Sequence, residues 1–226
     1  MKRFWSEVSC DAGGGVLLDG RPVRTPGRAP LALPTPALAE AVAGEWRAVG
    51  ETLDPRAMPL TGLANAAIDR IAPDPAPFVA AIAHYGESDL LCYRADTPAA
   101  LVARQQQAWE PLLAWARRRY DVHFAVTSGV IHVAQPATTV ARLAEAVAAQ
   151  DAFALAALQS IVGITGTLIG ALALEEDAID AEALWHAASV DEDWQAEQWG
   201  ADETAARTQA ARHGDYDAAV RFLAAL

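Results

Sequence analysis

The chain has 226 residues, 53% of them hydrophobic and 20% charged, with a formal net charge of -12. That balance describes a soluble, acidic globular protein of one or two domains, and it argues against nucleic acid as a partner, because a surface of this sign repels phosphate. The two cysteines, Cys10 and Cys92, lie far apart outside any C-x-x-C or metal-ligand pattern, which fits a reducing compartment.

The first third reads as strands. Arg3 to Cys10 alternates loosely, Gly13-Gly14-Gly15 punctuates, and Val16-Leu17-Leu18 runs through an Asp19-Gly20 turn into Arg21 to Thr25, a short-range hairpin signal. A small antiparallel sheet is expected. Thr35 as N-cap and Pro36 as first helical residue then open a helix through Trp46 that Gly50 can stop. Leu60, Leu63, Ala64, Ala67, Ile68 and Ile71 fall on one face of a second helix.

Pro73-Asp74-Pro75-Ala76-Pro77 cannot continue that helix and marks an expected boundary. The fold class read from the pattern is α+β: a small antiparallel-sheet domain with flanking helices over residues 1–75, then an all-helical domain over 76–226. Helical periodicity covers Phe78 to His84, Ala99 to Tyr120 with a kink or restart near Pro111, Thr138 to Ala149, and three pieces between Ala181 and Leu226. Val122 to Val133 alternates around Ser128-Gly129 and is expected to form a small hairpin.

Residues 152–174 run without a charge and include Gly166-Thr-Leu-Ile-Gly170, formally the G-x-x-x-G pattern of paired membrane helices. Acids flank the stretch on both sides: Asp151 before it and Glu175-Glu176-Asp177 after. No Lys or Arg anchors it, so it reads as a buried bundle helix rather than a membrane span.

Chemistry-bearing motifs are sparse. No phosphate-binding loop is present, Gly86-Glu-Ser-Asp-Leu90 lacks the closing glycine of a nucleophile elbow, and the five histidines fall in no metal-ligand spacing. Neither a cofactor nor a metal is expected. Asp193 and Glu197 stand one helical turn apart, a spacing usually found between solvated neighbours.

The segment Val190 to Gly200 is more informative, because it sets four carboxylates beside two of the seven tryptophans with no basic residue among them. If Asp180 caps a helix that runs through Trp199, Trp185, Glu192 and Trp199 form one heptad-spaced stripe, while Asp193 and Glu197 turn toward solvent. Glu192 is then the one carboxylate on an aromatic face, where it needs a donor. Two partners fit equally: an arginine or backbone N–H of the same chain, or a group on another protein.

Taken together, Arg3-Phe-Trp5, Leu17 to Thr25, Glu45-Trp46, Met58-Pro-Leu-Thr61 with Asn65 and Ile68-Asp69, Tyr85 to Arg94, Trp109 with Pro111-Leu-Leu113 and Trp115, and Asp191 to Gln195 through Gln198-Trp-Gly200 resemble the F1-ATPase assembly chaperone family that acts on the alpha subunit. The resemblance covers essentially the whole chain. It implies a chaperone without enzymatic activity that binds unassembled F1 alpha subunit, is monomeric when free, and promotes assembly of the alpha/beta ring. The opening residues carry neither an apolar signal region nor a presequence of the mitochondrial members, which points to a bacterial, cytoplasmic version. Carried onto this chain, the acidic block implies a partner contact at Glu192, or at Asp193 if the alignment slips by one; the heptad-spaced stripe adds Trp185 and Trp199 as expected aromatic anchors, with Trp194 beside them. The alternative reading is a small-molecule enzyme using Glu87, Asp89 or the late acids in a pocket between the domains.

Overall fold

The computed structural model describes residues 2–129, 131–200 and 202–226. By contact it divides into two compact units, one of residues 1–75 with 151–157 and 217–226, the other of residues 76–150 and 158–216.

The first unit holds a three-stranded antiparallel sheet in the order β1 (Val8–Cys10), β2 (Val16–Leu18) and β3 (Arg21–Pro22). Val8 pairs with Leu18, and Leu18 in turn with Arg21. Between β2 and β3, Asp19 and Gly20 have φ of 48° and 75°. Both signs are those of the tight hairpin turn whose twist matches its strands, which is why Asp-Gly sits here. The Asp19 carboxylate also accepts from Ser6 N and Glu7 N at 3.0 and 2.8 Å, fixing the chain that leads into β1.

Helix α1 (Pro36–Ala48) starts as its sequence expects, with Thr35 accepting from Leu38 N and Pro36 in the first turn. It buries Leu38, Ala39, Val42, Ala43 and Trp46 on one face. Glu45, on the same helix, accepts from Leu60 N and Thr61 N, both at 2.8 Å. A carboxylate of α1 thereby satisfies amides that α2 (Pro59–Ala66) would leave orphaned. After α2 a π-helical turn carries the chain through Ala67–Ile71, where Asp69 accepts from Thr25 Oγ1 at 2.6 Å and Gly27 N at 2.7 Å. The core gathers Trp5, Leu38, Val42, Trp46 and Leu60 with Ala157, Ala218 and Phe222.

The remaining helices are α3 (Ala76–Ala83), α4 (Ala99–Tyr120), α5 (Ala137–Ala148), α6 (Ala152–Thr165), α7 (Leu168–Glu175), α8 (Ala181–Ala188), α9 (Val190–Trp199) and α10 (Glu203–Ala224). Two short strands, β4 (Tyr93–Arg94) and β5 (Thr127–Ser128), pair in parallel. The chain is thus α+β, with its antiparallel sheet near the N-terminus.

Three local expectations need correcting. Residues 152–174 form two helices, because Gly166 takes φ of 71°, Leu90 N donates to its carbonyl, and Thr167 accepts from Gly170 N to start α7 afresh. Helix α4 runs through Pro111 without a restart, with Trp109, Leu112 and Leu113 buried around it. Thr127–Ser128 pairs with β4 rather than folding back as a hairpin, and Val130 of that expected hairpin lies outside the described residues. Among the described residues, no helix is long and apolar enough to cross a membrane.

Candidate functional site

Residues 85–94 act as a hub inside the second unit. Asp89 is 1% exposed and accepts from Leu91 N and Ile169 N, both at 3.0 Å, so it caps the start of α7 from within the core. Burial pushes its carboxyl up to about 6, against the pull of those N–H groups. Arg94 donates to Gln105 O at 2.8 Å and lies 4.9 Å above the Trp109 ring. Gln105 carries the chain of contacts onward: its Oε1 accepts from Ala95 N and its Nε2 donates to Asp191 at 2.7 Å. These contacts position α8 and α9.

The segment between Asp180 and Trp199 is not one helix. Asp180 caps α8 through Ala183 N as expected, but Ser189, with φ of -101° and ψ of 8°, separates α8 from α9. At the break the Trp109 indole donates to Ala187 O at 2.6 Å. Phase is lost there, so the expected stripe divides. Trp185 packs edge-on against His213, with ring centres 4.6 Å apart, and lies 5.3 Å from Tyr216, both on α10. These contacts leave Trp185 half-buried.

The other four residues separate onto two faces of α9. Glu192, Gln195, Ala196 and Trp199, at i, i+3, i+4 and i+7, line a groove of about 570 Å³ whose far wall includes Thr208, Gln209 and Arg212. Arg212 supplies an intramolecular partner for Glu192, Nη1 to Oε1 at 3.6 Å, while the Glu192 side chain stays half exposed. Trp199 is 79% exposed.

On the opposite face Asp193, Trp194 and Glu197 gather around Arg104 of α4. Arg104 ion-pairs with Glu197 at 2.7 Å and stacks 4.9 Å above the Trp194 ring. Its hydrogen bond holds the Glu197 carboxyl below the usual range, and the guanidinium is raised by Glu197 first and by Asp193 more weakly. Asp193 and Glu197 thus meet a cation of the same chain, while Glu197 stays exposed to solvent as expected. Arg104, Gln105 and Arg212 were invisible to sequence reasoning, since nothing in spacing links them to residues more than 80 positions away or to a helix beyond a turn. Glu87, the other acid considered for catalysis, is paired with the exposed His84 at 3.4 Å.

The α+β fold thus presents an exposed tryptophan beside a charged groove, while its buried Asp89 carboxylate is committed to capping a helix. The family model of the ATP12 chaperone protein matches residues 2–117. The chain belongs to the ATP12 chaperone family. It is similar to the crystal structure of Atp12 from Paracoccus denitrificans, at 44% identity and a TM-score of 0.92, over 99% of this chain and 97% of that one. An aspartate-to-lysine mutant of the same Atp12p matches equally, at 44% identity, the same coverage and a TM-score of 0.92. The Atu1473 protein of Agrobacterium tumefaciens, described as a candidate chaperone, matches at 42% identity and a TM-score of 0.92, over 99% of this chain and 85% of that one. The function is that of a chaperone, not of an enzyme.

Proposed function

We propose that this chaperone binds the unassembled alpha subunit of F1-ATPase in the bacterial cytoplasm and promotes assembly of the alpha/beta ring, with α9 as the contact. The observation that supports this reading best is Trp199, 79% exposed on the same helical face as the half-exposed Glu192. A free alpha subunit exposes the broad surface it later buries against beta, and such surfaces invite wrong self-association. Reversible cover favours a few aromatic anchors with a charged contact over a large dry interface. Trp199 is the anchor and Glu192 the charge, which exchanges Arg212 for a donor on the client. Asp193 and Trp194 contribute from the Arg104 face, and Trp185 supports α8 from within.

Co-expression with F1 alpha subunit tests this. Trp199→Ala, at an exposed position, and Glu192→Lys are each expected to lower the yield of soluble complex on the order of tenfold. The unfolding midpoint of each variant reports whether it is folded. Unchanged complex with both folded variants would remove α9 from the contact, and absence of complex with the unsubstituted chain would remove the alpha subunit as client.

A further inference from the structure

We propose that Gln105 is a positioning residue for client binding: its buried amide sets the rotation of α9 about its own axis, and with it the direction in which Glu192 and Trp199 face. Its bearing on the client rests on α9 being the contact; its hold on α9 does not.

Gln105 and Trp109 stand at i and i+4 on α4, both 1% exposed, so they belong to one buried face of that helix. Each holds a different point of the α8–α9 junction. The Trp109 indole donates to Ala187 O at 2.6 Å and fixes where α9 begins. Gln105 Nε2 donates to Asp191 Oδ1 at 2.7 Å, in the first turn of α9, and fixes how that helix is turned. A primary amide suits this place because it donates and accepts at once. Its Oε1 accepts from Ala95 N at 2.8 Å, which leaves Nε2 to face the carboxylate, so the neighbours decide which way the amide points. Arg94 braces both residues, donating to Gln105 O at 2.8 Å and lying 4.9 Å above the Trp109 ring.

The pinned residue sits between the two faces of α9. At about 100° per residue, Trp199 and Glu192 lie roughly 80° and 100° from Asp191 on one side, and Trp194 and Glu197 roughly 60° and 120° from it on the other. Any turn of the helix therefore displaces both faces together. With side chains about 5 Å from the axis, a turn of about 30° carries them about 3 Å, enough to take Glu192 out of hydrogen-bond reach of a donor. Of the other side chains that tie α9, Arg104 and Arg212 are 45% and 44% exposed, and salt screens their ion pairs. The buried amide is not weakened in that way, and leaving either of its ends unmade is costly.

The test uses the full chain, with the indole N–H resonances of Trp194 and Trp199 read by ¹⁵N NMR and the yield of soluble complex read on co-expression with F1 alpha subunit. Asp191→Ala and Asp191→Asn remove the same charge from the first turn of α9, but only asparagine keeps an acceptor for Gln105. The alanine variant is expected to shift both indole resonances and lower the yield on the order of fivefold, and the asparagine variant to leave the resonances in place with a yield within about twofold. Gln105→Glu keeps an acceptor for Ala95 N and sets a carboxylate against Asp191, so it should act as Asp191→Ala does. Adding Asp191→Asn, whose amide can donate to that carboxylate, should regain most of the loss. If Asp191→Asn matches Asp191→Ala in either reading, charge rather than the amide contact is at work and the proposal is overturned; because Asp191 is only half-buried, this arm holds even if Gln105→Glu fails to fold. Unmoved resonances with Asp191→Ala also overturn it, while α9 remains the contact wherever Trp199→Ala still lowers the yield. Moved resonances with an unchanged yield overturn the role of Gln105 in client binding, and if Trp199→Ala is then also without effect, α9 itself is not the contact.

Discussion

At Asp89 burial and hydrogen bonding oppose each other. Desolvation raises its carboxyl from 3.8 to about 6, while Ile169 N, Leu91 N and the Thr167 hydroxyl favour the ionised form. The native state therefore keeps a proton that the unfolded chain gives up between about pH 4 and pH 6. More protons bound when folded means that stability falls as pH rises through this window, by at most about 3 kcal/mol from this group. Asp89→Asn removes the titration but turns one accepting oxygen into a donor facing an N–H, a loss of about 1–3 kcal/mol. Urea midpoints of the two proteins from pH 4 to pH 7 are expected to converge with rising pH. Parallel curves would mean that Asp89 does not titrate in the native state over this range. Sequence motif logic weighed this residue for catalysis, because a carboxylate beside a glycine and a serine carries no mark of its depth. Only the fold reveals that its work is to cap α7.

Among the helices, α9 is held differently from its neighbours. It has no buried residue, and apart from Val190 at the edge of an apolar cluster its ties are polar: Gln105 to Asp191, Arg104 to Glu197 and Trp194, Arg212 to Glu192. Exposed ion pairs are screened by salt and individually weak, so α9 belongs to the low-stability end of the structure. Arg104→Met keeps the aliphatic stem over Trp194 and deletes the guanidinium. Amide hydrogen exchange across residues 190–199 is expected to quicken several-fold while the global unfolding midpoint barely moves, and 0.5 M NaCl should quicken the unsubstituted chain in the same segment. Unaltered exchange in α9 would show that the helix does not depend on this cation. The i, i+3, i+4, i+7 face joining Glu192 to Trp199 was legible in the sequence, since periodicity survives within one helix. Trp185 was misplaced on it because a break at Ser189 depends on the Trp109 indole, 80 positions earlier in the chain, reaching the Ala187 carbonyl.

For the molecule as a whole, the same limit appears in the cores. Local signals placed the hairpin turn at Asp19-Gly20, the Thr35 cap and the apolar face from Leu60 to Ile71, because each is decided by neighbours in sequence. Which core a helix end joins is decided by packing. Ala218 and Phe222, near the C-terminal end, are buried with Trp5, Leu38 and Trp46, and Phe222 stacks on Phe153 at 6.4 Å. Thr35, the cap of α1, also donates to Ala225 O. The first unit is consequently closed by residues more than 130 positions beyond its sheet, and its stability depends on them. Phe222→Ala, which empties a fully buried aromatic site, is expected to cost about 3–5 kcal/mol. A chain cut to residues 1–75 loses Ala157, Ala218 and Phe222 at once and should not hold its native tertiary packing, which the dispersion of its indole N–H resonances reads directly. If that fragment gave the same dispersed Trp5 and Trp46 signals as the full chain, the C-terminal residues would be a lining rather than a structural part of this core. If instead the signals collapse and return when a peptide of residues 217–226 is added with one of residues 151–157, the two distant segments are what complete the core around Trp46.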